Sequence, residues 1–128
     1  MFDIDGLKPV NDSLGHEAGD ILLRELGNLL RGNLRVGDIA CRYGGDEFVL
    51  ILPEAPLDVT RHRAEDLKEA AKHLRASHRG RIVGPVTLSG GVASCPDHGE
   101  TGAALFQAAD AALYRAKDEG RNRVIVAK

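Results

Sequence analysis

The sequence predicts an α+β fold, a sheet with antiparallel strands covered by helices. Three observations carry this prediction. Leu22, Leu23, Leu26, Leu29 and Leu30 recur at the spacing of one helix face. An unbroken apolar run, Phe48-Val49-Leu50-Ile51-Leu52, reads as a strand buried on both faces. Strand-like and helix-like segments then alternate in the order β-α-β-β-α-β-α-β, which sets helices against an antiparallel-containing sheet around a ferredoxin-like core.

The elements follow in order. Residues 1–5 read as the end of a strand already turning acidic at Asp3 and Asp5, and shorter than the usual five or so residues. Residues 6–19 are rich in turn formers: Pro9, Asn11, Asp12, Gly15 and Gly19. The leucine-patterned helix starts at Gly19 or Asp20 and is stopped by Gly32-Asn33. A hairpin comes next, 38–43 and 47–52, with Gly44-Gly45 as a two-residue primed turn that calls for positive φ. Asp58 or Thr60 caps a second helix reaching Ala76, its inner side formed by Val59, Ala64, Leu67, Ala70, Ala71 and Leu74. Residues 83–93 form a strand weakened by Gly90-Gly91, and 95–99 a loop. A third helix spans 101–119, with Phe106, Leu113 and Tyr114 packing the core; Gly120 stops it before a last strand at 123–126.

At 128 residues the chain makes one domain, able to bury about two thirds of its unfolded surface. A formal charge of −2 excludes a general nucleic-acid binder or an electrostatic membrane anchor. An RNA-reading sheet also lacks stacking aromatics, with three Phe and two Tyr in all. No apolar stretch approaches the roughly 18 residues of a membrane span, and acids stand where a signal peptide would be basic. Cys41 and Cys95, without dense spacing, read as reduced core residues of a cytoplasmic protein. His62, His73, His78 and His98 show no metal-ligand spacing and read as surface residues.

The chemistry concentrates in two places. Asp3-Ile4-Asp5 puts two carboxylates on one face of a strand end, because side chains alternate with period two. Asp46 and Glu47 follow the hairpin turn, and alternation predicts that only one of them shares a face with the first strand. Acids at the mouth of a core are costly unless a cation meets them. If the two strands are neighbours, Asp3 and one hairpin acid form a hard oxygen site suited to Mg²⁺ or Mn²⁺ carrying phosphates.

Four blocks then resemble one family in order along the chain. They are Asp3-Ile4-Asp5-Gly6-Leu7-Lys8-Pro9-Val10-Asn11-Asp12; Gly15-His16-Glu17-Ala18-Gly19-Asp20; Arg42-Tyr43-Gly44-Gly45-Asp46-Glu47-Phe48; and Ala109-Asp110-Ala111-Ala112-Leu113-Tyr114-Arg115-Ala116-Lys117 with Gly120-Arg121-Asn122. Together they resemble the GGDEF family of diguanylate cyclases. The resemblance implies the fold of nucleotidyl cyclases and polymerase palm domains with an inserted GGDEF hairpin. It implies condensation of two GTP into cyclic di-GMP, with release of two pyrophosphates, at the interface of a homodimer. Asp3, the Ile4 carbonyl and Asp46 match the family's metal ligands, for two Mg²⁺ (or Mn²⁺) per active half-site. Asp46 also matches the proton acceptor from the attacking hydroxyl, with Glu47 required beside it.

By the same resemblance Asn11 and Asp20 read the guanine edge, and His16 is a further substrate contact. The amides of Gly6, Leu7 and Lys8 hold the outer phosphates, with the Lys8 side chain adding transition-state charge. Lys117 and Arg121 match terminal phosphate contacts. Arg35-Val36-Gly37-Asp38 matches an RxxD inhibitory site, where Arg35 and Asp38 grip the product; the second arginine of that site is left open among Arg61 and Arg63, with Lys68 nearby. The family's leading helix and the first part of its first strand are absent, so residues 1–128 read as one GGDEF domain with a truncated N-terminal strand. An upstream sensory domain is expected and lies outside this sequence. Gly90 replaces the branched apolar residue the family usually has. The alternative function is a catalytically inactive module that binds GTP or cyclic di-GMP.

Overall fold

A computed structural model describes all 128 residues. The elements are β1 (Phe2–Asp5), α1 (Leu7–Leu14), α2 (His16–Gly32), β2 (Ile39–Arg42), β3 (Glu47–Ile51), α3 (Leu57–Ala71), β4 (Ala76–His78), β5 (Arg81–Val83), β6 (Thr87–Val92), α4 (Gly102–Asp118) and β7 (Val124–Val126). Five strands form one sheet in the order β2-β3-β1-β6-β7, and β4 and β5 form a separate two-stranded ribbon. β1 lies antiparallel between β3 and β6, while α4 carries the chain from β6 to the parallel β7. The α+β expectation with a ferredoxin-like core holds.

Register sorts the side chains. Phe2 faces Phe48 and Gly90, and Ile4 faces Leu88, so these share one side of the sheet. There they meet Leu22, Leu26 and Leu30 of α2 and Leu67 of α3 in a single buried cluster. On the other side Asp3 faces Glu47 and Ser89, and Gly91 lies under the backbone of α4. The acids therefore occupy the α4 side, opposite the main apolar core.

Several local expectations are corrected. The segment after β1 is not an open turn but α1 and the first turn of α2. Gly6 (φ 79°) and Gly15 (φ 91°) mark the breaks, and Pro9 sits in the first turn, where a missing N–H costs nothing. Leu7 is buried, and Val10 and Leu14 pack on the same cluster at helical spacing, which overrides the local turn propensity. α3 starts after Pro56 rather than at an Asp58 or Thr60 cap, and ends at Ala71. A further hairpin, β4-β5, follows it and was not anticipated.

The primed turn sits in that ribbon, at Arg79 (φ 50°) and Gly80 (φ 77°) between the paired His78 and Arg81. Neither Gly44 nor Gly45 takes a positive φ. Their connection runs over 43–46. It is closed by the Tyr43 and Gly44 amides donating to Glu47 O (2.9 and 3.4 Å) and by the Arg42 guanidinium donating to Gly44 O and Gly45 O (3.1 and 2.6 Å).

β3 is not buried on both faces: Phe48 is buried, whereas Ile51 is half exposed. The reason is the length of β1, which pairs with β3 only through Phe2 and Asp3, so that Val49, Leu50 and Ile51 have β2 alone beside them. Beyond Met1 a groove of about 840 Å³ opens between β3 and β6, flanked by Leu67 of α3 and Leu105 of α4.

Cys41 and Cys95 are exposed, not core residues. In α4, Leu113 is buried as expected, but Tyr114 is 70% exposed and Phe106 is only half-buried, its ring tilted against that of Tyr43 with centroids 5.0 Å apart. Gly90 and the adjacent Gly91 have steric reasons. A Cβ on Gly90 would lie 2.8 Å from the Phe2 ring. One on Gly91 would lie 2.1 Å from Ala109 O.

Candidate active site

The site forms where β1, the 43–46 connection and the end of α4 meet. Asp3, 5% exposed, comes from the central strand, and its backbone neighbour is tied to the hairpin tip: Ile4 N–H donates to Asp46 O at 3.0 Å. Asp3 Oδ2 pairs with the Lys117 ammonium, while Asp3 Oδ1 is buried with no hydrogen-bond partner. Burial pushes the Asp3 carboxyl up, to about 6, with the Asp46 charge adding to it and Lys117 opposing. Lys117 is raised in turn: burial works against its charge, but the hydrogen bond and charge of Asp3, then Glu47 and Asp46, outweigh it.

The cation demanded by buried acids is here a lysine, a pairing the sequence did not reveal. Strand alternation also separated Asp46 from Glu47 more sharply than the molecule does. Glu47 is directly across from Asp3, and Asp46 lies one residue before the strand, where alternation no longer applies. Both act on Lys117.

The donor set fits a hard divalent cation. It is all oxygen, and Asp3 Oδ1 is desolvated without a donor, which is costly unless a cation meets it. No cluster of three His, Cys, Asp or Glu side chains forms a closed cage. Mg²⁺ characteristically takes one or two carboxylates and completes its shell with water and phosphate oxygens.

Around this centre lie the other residues singled out in the sequence. Gly6, in the left-handed region, opens α1, so the Leu7 and Lys8 amides stand at a helix N-terminus rather than in an open turn. Lys8 and His16 are exposed and make no side-chain hydrogen bond or ion pair, and Asp20 is likewise exposed. Asn11 Oδ1 is buried and has no hydrogen-bond partner; it presses on Gly19, where a Cβ would come within 1.8 Å. Asp20 borders a cavity of about 500 Å³ between α2 and β2, whose rim also carries Arg24, Arg31 and Arg42.

Arg121 follows α4 with its guanidinium Nε 3.9 Å from Asp5 Oδ1. Asp5, which the sequence reading gave no role, also accepts from Thr87 Oγ1 at 2.7 Å, Ser89 Oγ at 2.8 Å and Asn122 N at 3.1 Å.

A second cluster stands apart. Arg35 N donates to Asp38 Oδ2 at 2.8 Å, and Arg63 Nη2 pairs with the same oxygen at 3.0 Å while also donating to Asn33 O. The Arg35 amide first, and then Arg63, hold the Asp38 carboxyl below its ordinary range. Of the arginines left open by the sequence, Arg63 is the one brought to Asp38. Its position in α3 could have been found only from three-dimensional proximity.

The Asp3 arrangement carries a pH signature in metal-free protein. Well below pH 4 Asp3 is protonated in both folded and unfolded chains and costs nothing. As pH rises from 4 past 6 the unfolded chain ionises first, and the fold must then hold a buried charge, a penalty growing to roughly 2–3 kcal/mol. In EDTA, Asp3→Asn should therefore stabilise the protein by about 1–3 kcal/mol at pH 7.5 and by only about 0.5 kcal/mol or less at pH 4. Denaturant titrations at the two pH values check this, and a variant destabilised at pH 7.5 would refute it.

The family model described as diguanylate cyclase, GGDEF domain, matches residues 1–123. The response regulator PleD of Caulobacter vibrioides is 40% identical over 127 residues, covering 98% of this chain and 28% of PleD. Diguanylate cyclase A of Treponema denticola is 37% identical over 128 residues, covering 100% of this chain and 34% of that protein. This chain thus spans about a third or less of the curated relatives it matches. Among solved structures, the GGDEF domain of DgcB from Caulobacter crescentus in complex with c-di-GMP superposes with a TM-score of 0.89 at 34% identity, over 98% of this chain and 74% of that one. The active GGEEF domain of a diguanylate cyclase from Vibrio cholerae gives a TM-score of 0.89 at 29% identity, over 99% and 80%.

Proposed function

Because this chain belongs to the diguanylate cyclase GGDEF-domain family, we propose that it condenses two GTP into cyclic di-GMP with release of two pyrophosphates. The observation that carries this reading is the meeting of Asp3, Asp46 and Glu47 where β1 joins β3, with Asp3 paired to Lys117 on one oxygen and its other, buried oxygen unpartnered. Two Mg²⁺ or Mn²⁺ held by Asp3, the Ile4 carbonyl and Asp46 would supply charge neutralisation at the phosphates and lower the pKa of the attacking hydroxyl.

The protein's own groups do the rest. Asp46 takes the proton of the 3′-hydroxyl, and Glu47 keeps the local field negative. Asn11 offers an amide and Asp20 a carboxylate to the guanine edge; guanine presents donors at N1 and N2 that a carboxylate can accept from, and adenine does not. The unpartnered, buried Asn11 Oδ1 supports this, since such an atom gains most from a ligand donor. The Gly6, Leu7 and Lys8 amides, with the helix dipole behind them, cradle the outer phosphates, and His16 contacts the substrate from the start of α2. Lys117, paired with Asp3 in the free protein, would meet the terminal phosphate beside Arg121.

One site holds one GTP, so the reaction requires two copies face to face. Initial rate should rise faster than linearly with enzyme concentration while the dimer is weak, and strict proportionality down to nanomolar enzyme would contradict this. The proposed compartment is the cytoplasm; no helix is long and apolar enough to cross a membrane. We further propose that β1 is the end of a longer strand, its earlier residues filling the groove beyond Met1 and pairing with Val49, Leu50 and Ile51, and that a sensory domain lies upstream.

Product inhibition is assigned to Arg35, Asp38 and Arg63. The Arg63–Asp38 pair holds the carboxylate ready to accept from a guanine, and the exposed Arg35 fork is free to grip guanine or phosphate. Arg35→Ala should raise the inhibition constant for cyclic di-GMP at least tenfold, read from progress curves that stay linear as product accumulates. Unchanged curvature would remove the assignment.

A further inference from the structure

The Asp5 side chain, 9% exposed, is nearly as enclosed as that of Asp3 at 8%, yet nothing in the proposed reaction uses it. Its carboxylate is held from two directions. From β6, Thr87 Oγ1 donates at 2.7 Å to Oδ2 and Ser89 Oγ at 2.8 and 3.0 Å to the two oxygens. From the turn after α4, Asn122 N–H donates to Oδ2 at 3.1 Å, and Arg121 Nε stands 3.9 Å from Oδ1.

That turn is strained. Gly120, Arg121 and Asn122 have φ of 118°, 64° and 49°, two of them side-chain-bearing residues in the left-handed region one after the other. Such a backbone persists only where its surroundings over-determine it. Arg121 N–H is held by Ala116 O at 2.9 Å, and Gly90 N–H donates to Arg123 O at 2.9 Å. Between these two ties, the Asn122 amide has Asp5 as its acceptor. The Arg121 side chain is 60% exposed, and beyond the approach of its Nε to Asp5 it has no partner, so its two Nη groups are free.

We propose that Asp5 is a positioning residue. It ties down the 120–122 turn through Asn122 N–H and attracts the Nε edge of Arg121 by charge at 3.9 Å, so that the free edge of the guanidinium faces the terminal phosphate of a bound nucleoside triphosphate. The fixed carboxylate does for Arg121 what an ordering partner does for any ligand-binding side chain: it removes in advance the rotamer freedom that binding would otherwise take away. Thr87 and Ser89 act one step further back by fixing the carboxylate itself. The proposal rests on Arg121 meeting the terminal phosphate, and the experiment separates the two ideas.

A non-hydrolysable GTP analogue and GDP are titrated, with Mg²⁺, against the wild type, Arg121→Ala, Asp5→Ala and the double variant, by fluorescence of labelled nucleotide. Arg121→Ala should weaken the triphosphate about tenfold and leave GDP within twofold. Asp5→Ala should show the same selective loss, and the double variant should be no weaker than Arg121→Ala alone, the non-additivity expected of one device. Asp5→Asn, which keeps an acceptor for Asn122 N–H, should recover part of the loss. If Asp5→Ala does not fold, Asp5→Asn and Ser89→Ala carry the same comparison, each with a smaller loss confined to the triphosphate. Equal weakening of GDP and triphosphate, full additivity with Arg121→Ala, or no effect of the Asp5 variants would overturn the proposal while leaving Arg121 in place. No selective loss in Arg121→Ala would overturn the phosphate contact and the positioning role with it.

Discussion

Asp46→Asn should lower cyclic di-GMP synthesis by about a thousandfold or more while leaving binding of cyclic di-GMP at Arg35 and Asp38 intact. The size of the effect follows from two losses at one position. A general base contributes about 10²–10⁴ to a rate, and the same carboxylate is assigned to hold a cation that stabilises charge on the phosphates. The amide keeps the shape, and Ile4 N–H still has Asp46 O to donate to, so the hairpin tip should stay where it is. Steady-state kinetics beside calorimetric titration of cyclic di-GMP separates the two readouts. Retained turnover would remove Asp46 from the metal and base roles together.

The second large effect is on stability. Gly91→Ala would place a Cβ 2.1 Å from Ala109 O and 2.5 Å from Leu113 N, both backbone atoms of α4. No side chain can swing aside, so the helix must lift from the sheet. With it would move Lys117 and the turn bearing Arg121. A loss of about 3 kcal/mol is expected, a large part of the roughly 5–15 kcal/mol available to a domain of this size. Gly27→Ala, within α2 with nothing inside 4 Å of the added Cβ, should instead gain up to about 1 kcal/mol from helix propensity. Denaturation midpoints of the two variants provide the comparison, and an unaffected Gly91→Ala would show that α4 does not depend on this close approach.

What the sequence made legible has a physical pattern. α2 and α4 carry long amphipathic or apolar stretches; α4 was found with nearly its observed bounds, and α2 from its second turn onward, its first turn being hidden in the Gly15–Gly19 segment. α1 was hidden because its turn formers, Pro9, Asn11 and Asp12, dominate the local signal, while Leu7, Val10 and Leu14 become a helix face only against the α2 core. The β4-β5 ribbon was missed because its primed turn uses Arg79 at positive φ, a residue type that does not announce such a conformation. The glycine pair that did announce one, Gly44-Gly45, is shaped by Arg42 and by the Glu47 carbonyl.

The candidate site was legible as residue types. Asp3 and the hairpin acids do come together, because β1 and β3 are neighbours in the sheet. Three contacts were not legible, because each joins positions far apart in the chain: Lys117 on Asp3, Arg63 on Asp38, and the Asp5 tie to Asn122. Proximity of that kind is set by how α3 and α4 lie on the sheet, which periodicity does not encode.

The central claim is that the acids at the tip of β1 and β3 serve the joining of two guanine nucleotides. Its most direct measurement is incubation of the protein with GTP and Mg²⁺, followed by chromatography of the products, with ATP as the control substrate and a form extended at the N-terminus run in parallel. Cyclic di-GMP and pyrophosphate in a one-to-two ratio, with ATP left unchanged, is the predicted result. GTP recovered intact from both folded forms would contradict it.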